Sequence, residues 1–193
     1  WLLPPNARQN QRDAPLVELV VISSGTEGPR QLRNGEADLL LGPMRRDAEG
    51  YYRRNLVSER YVCVMARGNR LATQDLTLSE YARARHIGIV YGKGWVSSYL
   101  KVLDSLGVEI IPAMTVPDPV GIEALIEGTD LVATVPRRFA QTVSPPLHVT
   151  DCPVFVPFEV DLVWTLRTHM SPAHKWFRGL IANALKADFP ESP

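Results

Sequence analysis

Two segments set the fold class of this chain: Gly35-Glu36-Ala37-Asp38-Leu39-Leu40-Leu41-Gly42 and Gly128-Thr129-Asp130-Leu131-Val132-Ala133-Thr134-Val135-Pro136. In each, a short helix ends on a glycine, an acidic residue leads into an apolar run, and a glycine or proline stops it. Glycine after a helix tolerates positive φ and serves as a cap. A run such as Leu39-Leu40-Leu41 has no polar alternation, as expected of a parallel strand buried on both faces. Each segment therefore reads as the helix-to-strand half of a βαβ unit. One in each half of the chain predicts two α/β lobes, and a cleft between lobes is where small molecules bind.

The charge balance narrows the function classes. Lys plus Arg equals Asp plus Glu at 21 each, whereas a compact DNA-binding module is usually basic. No stretch reaches the roughly 18 apolar residues of a membrane span, and no signal peptide is visible. Cys63 and Cys152 are far apart and lack metal-ligand spacing; Cys63, within Tyr61-Val62-Cys63-Val64-Met65-Ala66, reads as a small core residue. The chain opens on Trp1-Leu2-Leu3-Pro4-Pro5 and is expected to be part of something longer.

Along the chain, residues 1–14 read as the end of a helix or a linker, and Leu16 to Ile22 as a strand. A helix over Gly28 to Asn34 leads to a strand over Ala37 to Leu41. Pro43 to Arg54 reads as a polar loop whose arginines, Arg45, Arg46, Arg53 and Arg54, form a solvated surface. A strand over Tyr61 to Ala66 follows. The capping box Thr77-Leu78-Ser79-Glu80 predicts a helix from Leu78 to about Arg85. Further strands are expected over His86 to Tyr91, Ile110 to Val116, Leu131 to Val135 and Val160 to Leu166. Helices are expected over Ser97 to Leu106, Ile122 to Glu127 and from Arg137 to Gln141, and Ser144 to Pro157 reads as a loop. Ser171-Pro172 starts a last helix, with Trp176, Phe177, Leu180, Ile181, Ala184 and Leu185 as its packing face.

No catalytic motif is present: no Gly-x-Ser-x-Gly, no phosphate-binding loop, no His-Glu-x-x-His. His169 and His174 are five apart with Pro172 between them, and read as surface or capping residues. No cofactor motif appears. Gly92-Lys93-Gly94-Trp95 is more specific, because glycines after a strand let backbone approach a ligand and the indole offers a flat apolar face. The alternative is an ordinary turn with Trp95 covering the core. Ser97 and Ser98 read as helix caps that also set backbone N–H groups where an anion can bind. Pro117-Asp118-Pro119 takes the equivalent place after the next strand. Ligands in open α/β sheets bind outside the carboxyl ends of the strands, so both turns are candidate pocket walls.

Together these segments resemble the effector-binding domain of LysR-type transcriptional regulators. The resemblance rests on Leu32 to Gly42, Glu59 to Ala66, Leu76-Thr77-Leu78-Ser79-Glu80-Tyr81 with His86-Ile87, and Gly128 to Pro136. The tail, Trp164 followed by Ser171-Pro172-Ala173-His174-Lys175-Trp176-Phe177-Arg178, is similar to the branch of nodulation and aromatic-degradation regulators. The resemblance implies a two-lobed type-II periplasmic-binding-protein fold, with lobe I over residues 1–84 and 163–193 and lobe II over 85–162. It implies a small effector, aromatic in that branch, in an inter-lobe cleft and self-association as a dimer, with a tetramer in the full-length protein. It also implies a cytoplasmic setting, with DNA bound only through an N-terminal winged helix-turn-helix outside this chain. The first strand of lobe I is expected to precede Trp1.

Pocket positions implied by the branch are Tyr51, Tyr52, Trp95, Val96, Asp118 and Phe158, with Ser97 added from its place at the helix start. Aromatic-acid sensors of the branch tend to carry histidines where this chain has Val96 and Asp118. A flat ligand between Trp95 and the tyrosines Tyr51 and Tyr52 is the expectation. Asp118 would accept a hydrogen bond from its hydroxyl or amine and repel an acid, unless Lys93 offsets the charge; alternatively Asp118 caps the helix beginning near Val120. Competing classes are the solute-binding protein of a transporter, which shares the fold, and an enzyme, which the missing nucleophile–base constellation disfavours.

Overall fold

The computed structural model describes residues 3–23, 25–44, 49–73, 75–92 and 94–188, and in it the two helix-ending glycines do what their positions require. Gly35 has φ 77° and Gly128 φ 69°, left-handed conformations that a Cβ would strain. At the first, the N–H of Glu36 closes back on the Gln31 carbonyl at 2.9 Å. The capping box forms as written: Thr77 Oγ1 accepts from the Glu80 N–H, and Glu80 Oε2 accepts from the Thr77 N–H at 3.0 Å.

In chain order the elements are α1 (Leu3–Asp13), α2 (Gly28–Asn34), β1 (Leu40–Gly42), β2 (Tyr51–Glu59), β3 (Tyr61–Met65) and α3 (Leu78–Arg83). Then come β4 (Arg85–Ile89), α4 (Ser98–Ser105), β5 (Pro112–Val116), α5 (Ile122–Ile126), β6 (Leu131–Pro136) and α6 (Arg137–Ala140). The last are β7 (His148–Asp151), β8 (Phe158–Thr165), α7 (Leu166–His169) and α8 (Pro172–Asp188). The chain divides into two compact units, Trp1–Ser58 with Glu159–Pro193, and Glu59–Phe158. The first division thus falls well before residue 85, where the sequence reading drew it. The reason is β3, which pairs with both β6 and β7 and carries the 59–84 segment into the second unit's sheet.

The first unit holds a three-stranded sheet in the order β1-β8-β2. Leu39 and Leu41 pack with Leu56 and Phe177 against Leu162, Trp164 and Ile181. The Leu39–Leu41 run is not the parallel, doubly buried strand expected: β1 runs antiparallel to β8, with Leu41 opposite Leu162, and is half-buried. Leu16 to Ile22 forms no strand. The sheet's neighbours are β1, β8 and β2, so this segment has no ladder partner, and Leu16, Val17, Val20, Val21 and Ile22 are exposed. Tyr51 to Glu59 is a nine-residue strand where the reading ended a polar loop at Arg54; Arg53 and Arg54 are exposed on it, while Arg45 and Arg46 lie outside the described residues. On α8, Leu180 and Ile181 are buried as expected, but Trp176 is exposed and Arg178 takes a buried place instead.

The second unit holds a five-stranded sheet in the order β5-β4-β6-β3-β7, with β4 parallel to β5 and β6 and β3 antiparallel to β6 and β7. One face packs Cys63, Met65, Tyr81, Tyr99 and Leu103. The other packs Val62, Val64, Ile122, Ile126 and Val135. β7 lies inside the proline-dotted stretch expected to be a loop. Both cysteines are free and buried; the neighbouring Cys152 and burial push the Cys63 thiol up.

His86 is buried, its Nε2 2.6 Å from the Tyr81 carbonyl. Burial pushes its pKa down, the carbonyl only partly opposing. The folded state therefore binds fewer protons than the unfolded one just below the unfolded value of about 6.5, and stability declines as pH falls through that window. Glu59, raised by burial, acts with the opposite sign, losing stability as pH rises above its unfolded value. We expect melting at pH 5.5 to fall further below that at pH 7.5 for the wild type than for His86→Gln. Equal drops would contradict it.

Candidate functional site

The carboxyl ends of the parallel strands β4, β5 and β6 lie on one edge of the second sheet, and Tyr61 joins them because it pairs with Pro136 at the end of β6. That edge is where open α/β sheets take ligands. The turn after β4 is held to the end of β5 by the Val90 N–H on the Val116 carbonyl, 2.9 Å. It carries half-buried Tyr91 and Trp95, exposed Val96 and buried Ser97. Lys93 lies outside the described residues. The turn after β5 carries Asp118, whose Oδ1 accepts the Val120 N–H at 2.9 Å. This closes a local turn; α5 starts later, after Gly121 in the left-handed conformation. Phe158 packs on Tyr61 with ring centroids 4.7 Å apart.

The other two expected positions belong to the first unit and are engaged within it. Tyr51 donates its hydroxyl to the Pro29 carbonyl at 2.8 Å and accepts from Arg33. The Tyr52 ring stacks on His169 at 3.8 Å between centroids. His169 in turn accepts the Trp164 indole N–H at Nδ1, and the Arg178 guanidinium lies 4.5 Å over the Trp164 ring. His174 pairs with Ser171, as a helix start requires.

The sequence reading missed three tyrosines at the second unit's edge. Tyr61 and Tyr99 pack with centroids 4.8 Å apart. Burial pushes the Tyr91 and Tyr99 phenols up, with Tyr61 adding to both and Asp118 to Tyr91. The signal was available for Tyr91, which directly precedes the glycine turn, but not for Tyr61 or Tyr99, which look like ordinary strand and helix residues. Ser97 is the N-cap of α4 yet makes no side-chain cap bond. Among the described residues there is no metal-binding cluster, and no helix is long and apolar enough to cross a membrane.

This arrangement of sheets matches known proteins. The chain belongs to the LysR substrate-binding domain family, whose model matches residues 1–186. It is 33% identical over 199 residues to the HTH-type transcriptional regulator SyrM 1 of Sinorhizobium fredii, covering 96% of this chain and 56% of that protein. It is 26% identical over 187 residues to the HTH-type transcriptional activator NagR of Ralstonia sp, covering 93% of this chain and 61% of that protein. The chain thus spans less than two thirds of the length of these relatives. The regulatory domain of MexT, a transcriptional activator in Pseudomonas aeruginosa, superposes with a TM-score of 0.79 at 26% identity, over 95% of this chain and 90% of that one. The fold is the periplasmic-binding-protein-like fold of LysR regulatory domains, and these relatives are regulators rather than enzymes or transport components.

Proposed function

We propose that this domain senses a small, flat, aromatic effector for a cytoplasmic LysR-type regulator and carries that regulator's self-association. DNA is then read by a separate N-terminal winged helix-turn-helix. The observation that supports the effector reading best is the second unit's edge, where Tyr61, Tyr91, Trp95, Ser97, Asp118 and Phe158 gather aromatic faces and polar tips at the strand ends. Aromatic faces supply apolar area and hydroxyls fix orientation. A ligand at a hundred times its Kd stabilises the domain by about 2.7 kcal/mol. A melting screen of substituted phenols, anilines and benzoates should therefore yield at least one class that raises Tm, and Trp95→Ala should abolish the rise. Absence of any shift across the three classes would contradict aromatic sensing.

The zero net charge supports a second expectation. Sequence-specific readout needs an element set into a groove and cationic contacts to phosphate. The domain alone should leave operator DNA unshifted in an electrophoretic assay at moderate salt; a specific shift would place DNA contacts on this chain. Self-association is supported by two exposed apolar surfaces, the Leu16–Ile22 segment and the β5 edge with Met114 and, just before the strand, Ile111.

A further inference from the structure

The sequence holds two cysteines, 89 residues apart by their numbers, 63 and 152, and the second unit brings them together. In the pairing of β3 with β7, Cys63 lies opposite Thr150 and Val62 opposite Asp151. Side chains alternate between faces along a strand, so Cys152, directly after β7, returns to the face of Cys63. Both belong to the core cluster of that face, with Met65, Tyr81 and Tyr99. Their sulfurs share a hydrogen bond, the Cys63 thiol donating to Cys152. A buried cysteine otherwise behaves as a small hydrophobe with no need of a polar partner.

The two thiols are not equivalent. Cys63 is fully enclosed, and its bond to Cys152 together with burial keeps it protonated. Cys152 retains 8% of its surface, at the end of the outer strand β7. Hydrogen bonds from Cys63 and from the Val154 N–H pull its thiol down, with burial and Asp151 opposing. The thiolate is the reactive form of cysteine, so Cys152 is the sulfur that meets an oxidant. Behind Cys63, Thr134 Oγ1 lies 3.8 Å from its sulfur, and the Tyr81 hydroxyl lies 2.7 Å from Thr134. The Thr134 hydroxyl can donate to the Cys63 sulfur once the thiol proton is gone.

We propose that Cys63 and Cys152 form a peroxide-reactive dithiol that closes to a disulfide within one chain. The Cys152 thiolate attacks one oxygen of hydrogen peroxide and the O–O bond breaks. The leaving oxygen takes up the proton that Cys152 had released and departs as water. Cys152 is then a sulfenic acid, which condenses with a thiol. The Cys63 sulfur displaces its hydroxyl, the S–S bond forms, and the hydroxyl leaves as water with the Cys63 proton. The two sulfurs have together lost two electrons, and one peroxide has gained them. The bond ties the end of β7 to β3 and encloses β4, β5 and β6 in one covalent loop, which restrains unfolding of this unit.

The test exposes the folded chain to excess hydrogen peroxide, then counts its thiols after unfolding and maps its peptides without reductant. Both thiols should be lost together, the peptides holding Cys63 and Cys152 should be joined, and dithiothreitol should restore both thiols. Cys63→Ala should stop the reaction at a Cys152 sulfenic acid that dimedone labels, and Cys152→Ala should leave Cys63 a thiol. Peptide mapping of the wild type decides the matter even if a variant folds poorly, which circular dichroism checks. Both thiols intact under exposure that oxidises the urea-unfolded chain would overturn the proposal. So would Cys152 carried to sulfinic acid beside an untouched Cys63, or a disulfide formed only between chains.

Discussion

Replacing Trp164 with alanine is expected to cost the first unit about 3–5 kcal/mol, the range for removing a large aromatic from a core. Trp164 is 8% exposed and packs with Leu162 and Ile181. Its loss also removes two polar supports. The indole N–H no longer reaches His169 Nδ1, now 3.1 Å away. The Arg178 guanidinium, buried and held by the carbonyls of Thr168 and His169, loses the ring face it lies over. Burial already lowers the Arg178 pKa, so its charge is poorly compensated by solvent, and a lost cation–π partner counts for more there.

Small domains have about 5–15 kcal/mol of stability in total, so Trp164→Ala should lower the urea midpoint steeply. Trp164→Phe keeps a ring against Arg178 and the core but loses the N–H bond, and should fall between alanine and wild type. Urea unfolding followed by circular dichroism gives the ordering. An alanine variant within about 1 kcal/mol of wild type would mean that the Trp164–Arg178 stack contributes little.

The fold was legible where local chemistry and hydrophobic pattern agree. The Thr77–Glu80 capping box and the Gly35 and Gly128 caps were read correctly because each is decided by residues within one turn. The strands β3 and β6 were legible because their residues are nearly all buried. β2 was not, since Arg53, Arg54 and Asn55 are exposed and its pairing in the sheet order β1-β8-β2 comes from a strand about a hundred residues later. Leu16–Ile22 failed in the opposite way: the propensity for a strand is there, but a strand is made by its partner. At the site, turn chemistry pointed to Trp95, Ser97 and Asp118. Tyr61 and Tyr99 became visible only when β3, with Tyr61 opposite Pro136, and α4 were placed in space.

Replacing Val20 and Ile22 together with glutamate is expected to weaken self-association by about a hundredfold or more. The two side chains lie two residues apart in a segment that makes no helix, so in an extended conformation they share a face. Val20 is 75% exposed and Ile22 50% exposed, so neither contributes much to its own core. Burying each against another copy would stabilise the complex by about 1.5–3 kcal/mol, and a carboxylate in the same place would have to be desolvated. In the proposed self-association the complementary surface on the second copy would be β5, an outer strand of the five-stranded sheet, with Ile111, just before it, 78% exposed. An edge strand offers unpaired backbone groups as well as side chains. Ile111→Glu should therefore weaken association from the other side, and adding it to the double variant should do little more, because both changes act on one interface. Sedimentation equilibrium across a range of concentrations measures the constants, and dilute circular dichroism should show all variants folded like the wild type. Unchanged association in the double variant, or a wild type that stays monomeric at high concentration, would exclude this segment as the interface.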